Sequence, residues 1–208
     1  EGQFQCPTSM CVMAGALYVC DCENHRIVVL GTDLSWRYTI GRKGSGDGEF
    51  EFPRGIAAHG GELYVVDSDN SRVQARRPRP TAPRSARHAP PRLPRQAFAP
   101  DRHGRMRFAR AFGGEFMAAW LEEHNACEEG ATPPPGQFYR PWGVAVVRGL
   151  LVVSESKRLQ VLTPKGVPLQ VLTLGDGGNG VLLRGVCADE QRVWVMDYLA
   201  DRAYALKL

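Results

Sequence analysis

The chain has 208 residues, 43% of them apolar, and carries a formal charge of +4. That is enough apolar material for one domain with a buried core. No run of 18 apolar residues and no charged-then-apolar amino end argues for a membrane span or a signal peptide. The net charge conceals an asymmetry. Residues 76–110 hold eleven arginines against Asp101, a balance of +10, so the remainder of the chain stands at −6. A generally basic, nucleic-acid-seeking domain is excluded by that subtraction.

Read from the amino end, the chain repeats itself. Gly2-Gln3-Phe4-Gln5-Cys6-Pro7 leads into Gly15-Ala16-Leu17-Tyr18-Val19-Cys20-Asp21-Cys22-Glu23-Asn24-His25-Arg26-Ile27. The same two phrases return as Gly48-Glu49-Phe50-Glu51-Phe52-Pro53-Arg54-Gly55-Ile56 and Gly61-Glu62-Leu63-Tyr64-Val65-Val66-Asp67-Ser68-Asp69-Asn70-Ser71-Arg72-Val73. Weaker copies start at Gly136 and Gly178. Such a unit of about 40 residues marks a repeat architecture. Within a unit, β-prone runs of four to six residues are separated by Gly-Gly or by Asp/Asn/Ser clusters. Gly60-Gly61 suits a two-residue hairpin turn, and Asp67 and Asn70 can close the next turn through side-chain hydrogen bonds. The pattern predicts an all-β fold with three or four antiparallel strands per unit, which is a propeller blade. The blades are placed at about 2–47, 48–114, 136–177 and 178–208, within a single domain over 1–208.

Two insertions interrupt the order. Residues 76–105 are dense in arginine and proline, which removes backbone donors and apolar content, so disorder is expected there, as a basic arm or a spacer. Strand order resumes at 103–114 as the outer strand of the second unit. Over 115–135, Phe116, Met117, Trp120 and Leu121 share one helical face opposite Glu122 and Glu123, so a short amphipathic helix packed on its own blade is expected.

The order Gly-x-Phe-x-x-Pro-x-Gly-Ile-Ala, then Leu-Tyr-Val-x-Asp-x-x-Asn-x-Arg-Ile, resembles the NHL repeat. The resemblance is close over 2–75 and fair over 136–208. It implies a β-propeller, commonly six-bladed, acting as an interaction module, in many relatives as part of a ubiquitin-ligase-like or scaffold protein. Some such relatives bind RNA. Four units are recognisable here and the last reaches Leu208 without an outer strand. Closure is therefore expected to need a strand from the amino end or further blades of a longer parent chain.

The cysteines at 6, 11, 20, 22, 127 and 187 lack the paired Cys-x-x-Cys spacing of zinc sites, and Cys20 replaces the repeat's Val66. Free thiols and a reducing, cytoplasmic setting are expected, with no metal and no cofactor. The inner histidines of a zinc-dependent amidating lyase and the inner carboxylates of lactonase-like propellers are not supplied, nor is a nucleophile elbow or phosphate loop. The chain is therefore read as a non-enzyme, with a metal-dependent lyase or lactonase-like propeller as a remote alternative. Asp21, Asp67 and Asp197 recur at one place, where Ser154 breaks the set. Arg26, Arg72, Arg158 and Arg202 recur at another. A feature found in every blade is most economically a structural pair holding the turn between two strands.

The position between Pro and Gly in Pro-x-Gly varies instead, as Thr8, Arg54, Trp142 and Arg184, and in a propeller it lines the mouth of the central channel. Arginine and tryptophan are the side chains of binding hot spots and of single-stranded RNA platforms. The neighbouring turns add His25, Asp69, Lys157 and Tyr198. A face made of these residues is expected to bind a protein or peptide, or alternatively single-stranded RNA.

Overall fold

The computed structural model describes residues 3–78, 106–113, 133–174 and 181–207. The expected helix of the second insertion, as far as 132, and residues 79–105 of the first lie outside these.

Fifteen strands form four antiparallel sheets. The first comprises β1 (Pro7–Met13), β2 (Ala16–Asp21), β3 (Arg26–Gly31) and β4 (Trp36–Ile40), paired in that order. The second comprises β5 (Pro53–His59), β6 (Glu62–Asp67), β7 (Arg72–Pro78) and β8 (Met106–Phe112). The third is β9 (Gly143–Val147), β10 (Leu150–Ser154), β11 (Arg158–Leu162) and β12 (Pro168–Thr173). The fourth has three strands among the described residues, β13 (Leu183–Ala188), β14 (Arg192–Asp197) and β15 (Arg202–Lys207). The glycine-led hairpin turns are present: Gly60 and Gly61 both have positive φ, as do the equivalent pairs Ala14-Gly15 and Arg148-Gly149. No helix among the described residues is long and apolar enough to cross a membrane.

Alternation along each strand gives every sheet two faces, and successive sheets stack face to face. Tyr18, Cys20, Ile27 and Val29 of the first sheet pack on Ile56, Leu63 and Val65 of the second. Tyr64, Val66 and Val73 of the second pack on Val144, Leu151 and Val153 of the third. Val152, Leu159 and Val161 of the third pack on Val193 and Val195 of the fourth. Cys20 and Cys22 serve as small core residues, whereas Cys6 and Cys187 are exposed; burial pushes the Cys20 thiol up, and that of Cys22 to about 11. Inner strand β1 lies against β5, β5 against β9, and β9 against β13, with no comparable contact from β13 back to β1. The four blades thus form an open arc.

One boundary differs from expectation. Residues 76–78 belong to β7 rather than to the arginine-rich insertion. Arg76 is buried, donates to the Gly48 carbonyl at 2.6 Å and lies over the Phe50 ring at 5.0 Å. Arg77 and Arg110 both pair with Glu62. A long side chain with an apolar stem, and one nitrogen of its head bonded to the Gly48 carbonyl, extends a strand that composition alone reads as ending.

The repeated carboxylates tie the loop entering each blade to its second turn. Asp67 accepts from the Glu51 amide at 2.6 Å, Asn70 at 3.0 Å, Arg72 Nε at 2.8 Å and Gln74 at 2.9 Å. Asp21 does the same with the Gln5 amide, Asn24 and Arg26. In the third blade Ser154 does break the carboxylate set. Ser154 spends its hydroxyl on the Arg184 carbonyl, and Glu155, one residue on, accepts from the Tyr139 amide, Arg158 and Gln160. The longer glutamate reaches the same donors from the shifted place. Burial pushes its carboxyl up despite Arg158. In the fourth blade Asp197 accepts from the Leu182, Leu199 and Ala200 amides and not from Arg202, which is exposed. Backbone donors there replace the arginine, and the expected Asp–Arg pair holds in blades one and two only.

Candidate functional site

The row of variable side chains owes its geometry to glycine. A Cβ on Gly55 would stand 2.8 Å from the Trp142 carbonyl oxygen, and one on Gly143 would stand 2.7 Å from that of Arg184. These are distances that side-chain carbons cannot keep from backbone, so glycine is what lets neighbouring inner strands approach. The strands are then pinned: Thr8 Oγ1 donates to the Arg54 carbonyl at 2.7 Å, Ser68 Oγ to that of Pro141 at 2.6 Å and Ser154 Oγ to that of Arg184 at 2.5 Å.

With the strands held so close, Arg54 of β5, Trp142 just before β9, Arg184 of β13 and Tyr198 just after β14 stack into a ladder. The Arg54 guanidinium lies 3.9 Å from the centre of the Trp142 ring, and that of Arg184 lies 4.3 Å from it. One comes from the blade on either side of the tryptophan. Arg184 also covers Tyr198 at 3.7 Å, and Arg54 lies 5.9 Å from Phe52. His25 meets the Phe52 ring edge-on at 4.6 Å, and its Nδ1 accepts from the Phe52 amide at 3.2 Å. The sequence runs aromatic, cation, aromatic, cation, aromatic from Phe52 to Tyr198.

Of the residues predicted for the partner face, Arg54, Trp142, Arg184 and Tyr198 are brought together. Thr8 supports them through backbone. His25 is engaged as a link between the first two blades. Lys157 is exposed in the turn between β10 and β11, outside the ladder. Sequence reasoning missed Phe52 and Arg140. Both occupy the position just before the blade's proline, with φ of 51° and 44°, as does Cys6 at 52°. The repeated non-glycine residue before proline was the available signal.

Beneath the ladder lies a cavity of about 240 Å³ lined by Arg54, Ser68, Asp69, Arg140, Trp142 and Ser156, among others. Asp69 faces Arg140 at 3.8 Å. The two ladder arginines have no carboxylate partner among the described residues, and the Nε–H of each is buried without an acceptor. Their guanidinium carbons are within about 8 Å of one another, the sum of the two spans to Trp142. Like charges at that distance repel by about 2 kcal/mol at an effective dielectric of about 20. Stacking offsets part of this, by about 0.5–2 kcal/mol for each cation–ring pair. The result is a preformed, positively charged row, with Asp69 in the adjoining cavity and His25 against Phe52. No group of three His, Cys, Asp or Glu side chains that could hold a metal ion gathers among the described residues.

Four sheets stacked through their faces, with glycine-packed inner strands, define a β-propeller, a fold that is generally a protein-interaction module. Residues 4–30 and 50–75, the first three strands of each of the first two blades, match the family model of the NHL repeat. Solved structures agree on the architecture. A nidogen/laminin complex chain is similar with a TM-score of 0.57 at 15% identity, over 99% of this chain and 60% of that one. The Cps50 (Swd1) β-propeller domain of Myceliophteria thermophila gives 0.54 at 12% identity, over 97% and 53%. Glutaminyl cyclase of Myxococcus xanthus gives 0.53 at 11% identity, over 96% and 71%. The chain thus spans less than two thirds of the first two. No curated protein matches it.

Proposed function

We propose that this chain is a non-catalytic recognition module that binds a protein segment across the ladder of Arg54, Trp142, Arg184 and Tyr198. The observation carrying this reading is the ladder itself. The Asp–Arg pair is the same in the first two blades, whereas the positions equivalent to the middle of Pro-x-Gly differ in every blade, and three of them converge on one stack. Tryptophan, tyrosine and arginine are the side chains that dominate binding energy where they cluster at the centre of a contact. Holding them by stacking before a partner arrives lowers the entropy lost on binding. The NHL repeats support a place within a larger scaffold or ubiquitin-ligase-like protein, with further blades supplied by a longer parent chain.

The test is a peptide-display selection on the immobilised full chain, followed by calorimetry on the recovered peptides. Loss of at least tenfold in affinity in Trp142→Ala, with an unchanged melting temperature, is the expected result. Peptides that bind wild type and Trp142→Ala alike would sink the proposal.

A second reading, single-stranded RNA on the same face, is favoured by the alternation of guanidinium and ring, a stacking chemistry that suits bases too. It requires that a mixed-sequence RNA bind with a steep salt dependence, lose affinity in Trp142→Ala and keep it when 79–105 is deleted.

A further inference from the structure

Resting on the interaction-module reading, the ladder also specifies what kind of peptide it takes. We infer that the partner presents an extended acidic segment whose carboxylates, two residues apart, are received by the guanidinium edges of Arg54 and Arg184.

Three observations carry this. First, the charges are uncompensated among the described residues: neither arginine has a carboxylate partner there, while Asp69 answers Arg140. Other arginines of the blades, Arg26, Arg72 and Arg158, are each matched by an acid. Second, the faces of the planes are taken. Arg184 sits against Trp142 and Tyr198, and Arg54 against Trp142, so hydrogen bonding is directed to the guanidinium edges, where a carboxylate docks in a bidentate fork. Third, the spacing is compatible. Same-side residues of an extended peptide repeat every two positions, about 6.6–6.8 Å, and the two guanidinium carbons lie no farther apart than about 8 Å. A partner strand laid across β5, β9 and β13 would place alternate side chains on the two arginines.

The experiment uses the full chain and fluorescein-labelled, amidated peptides carrying Glu-Ser-Glu or Gln-Ser-Gln in the same neutral flanks, read by anisotropy at near-physiological salt. The expected result is at least tenfold tighter binding of the glutamate peptide. Arg54→Gln and Arg184→Gln each remove that preference, and Arg→Lys at either position fails to restore it, because an ammonium neither stacks nor forks. A preference that survives in the Arg54→Gln/Arg184→Gln double variant overturns the inference and places the acidic peptide elsewhere, the arginine-rich stretch included. Equal binding of the two peptides also overturns it, yet leaves the module standing if display-selected ligands still depend on Trp142. Trp142-dependent binding of mixed-sequence RNA without a carboxylate preference overturns it in favour of RNA. If no ligand of any kind depends on Trp142, it is the module reading that fails.

Discussion

At the scale of single residues, the buried carboxylates and the ladder arginines use charge in opposite ways. Asp67 is fully buried and satisfied by four donors from the entry loop, the turn and β7. Removing one partner of such a set leaves the others desolvated and unpaired. Asp67→Ala is expected to cost about 3–5 kcal/mol in chemical denaturation, as for other broken buried pairs. Removing the Arg54 charge, which has no acid opposite it, is expected to cost far less. Glu62 is a third case. Hydrogen bonds from Arg110, and then from Arg77 and Tyr64, hold its carboxyl down at about 2, from an ordinary 4.5. Because the folded pKa lies below the unfolded one, the contribution is complete above pH 4.5 and is lost as pH falls towards 2. Glu62→Gln should therefore flatten the acid limb of the stability profile in that window and leave the slope near neutrality unchanged. An acid limb identical to wild type would show that the Arg110 link does not form in solution.

At the scale of elements, the blade is a compromise between two demands on its inner strand. Its side chains must fill the junctions on both faces, and its backbone must come near enough to the next blade for the ladder to stack. Gly143 meets the second demand, since a Cβ there would collide with the Arg184 carbonyl at 2.7 Å and with Ser154 Oγ at 2.9 Å. Gly143→Ala is expected to destabilise the chain by about 1–3 kcal/mol, the usual range for overpacking. It should also weaken ligand binding beyond that global loss, because β9 and β13 are pushed apart just where Trp142 meets Arg184. An affinity unchanged in a variant that is merely less stable would separate strand spacing from recognition. The outer strand β8 makes the complementary point. It pairs with β7 and is tied to β6 through Arg110 and Glu62, although the connecting residues 79–105 are rich in proline and arginine. Loop-closure entropy grows only slowly with loop length, so a long insertion leaves the sheet's pairing intact.

At the scale of the molecule, three junctions are filled and the two end faces are not. Residues that are equivalent by repeat position therefore have different surroundings. Met10, on the first blade's outward face, is 64% exposed, whereas its counterpart Ile56 is 4% exposed inside the first junction. At the other end Met196 is 57% exposed, and its counterpart Val66 is fully buried. Met10→Lys is accordingly expected to change stability by no more than about 0.5 kcal/mol. Ile56→Lys, which buries an unpaired ammonium, should prevent folding or lower the melting temperature by many degrees. Comparable losses from the two variants would mean that the first blade's outer face is covered in solution.

The period, the strands, the hairpin turns and the identity of the variable positions were all readable in the chain, because they depend on local rules that repeat: alternation, glycine at positive φ, and proline at the strand start. The position of the third blade's carboxylate was not readable. Glu155 and Asp67 reach like donors from different places in their units, and only the fold shows which oxygen arrives. Arg76 was misread for the same reason, since composition placed it in an insertion and Phe50 with the Gly48 carbonyl placed it in a strand. Thr8, Arg54, Trp142 and Arg184 stood out in sequence as the residues that vary. That three of them stack, with Phe52 and Tyr198 closing the row, was decided by the approach of inner strands tens of residues apart, a distance set by packing across blades.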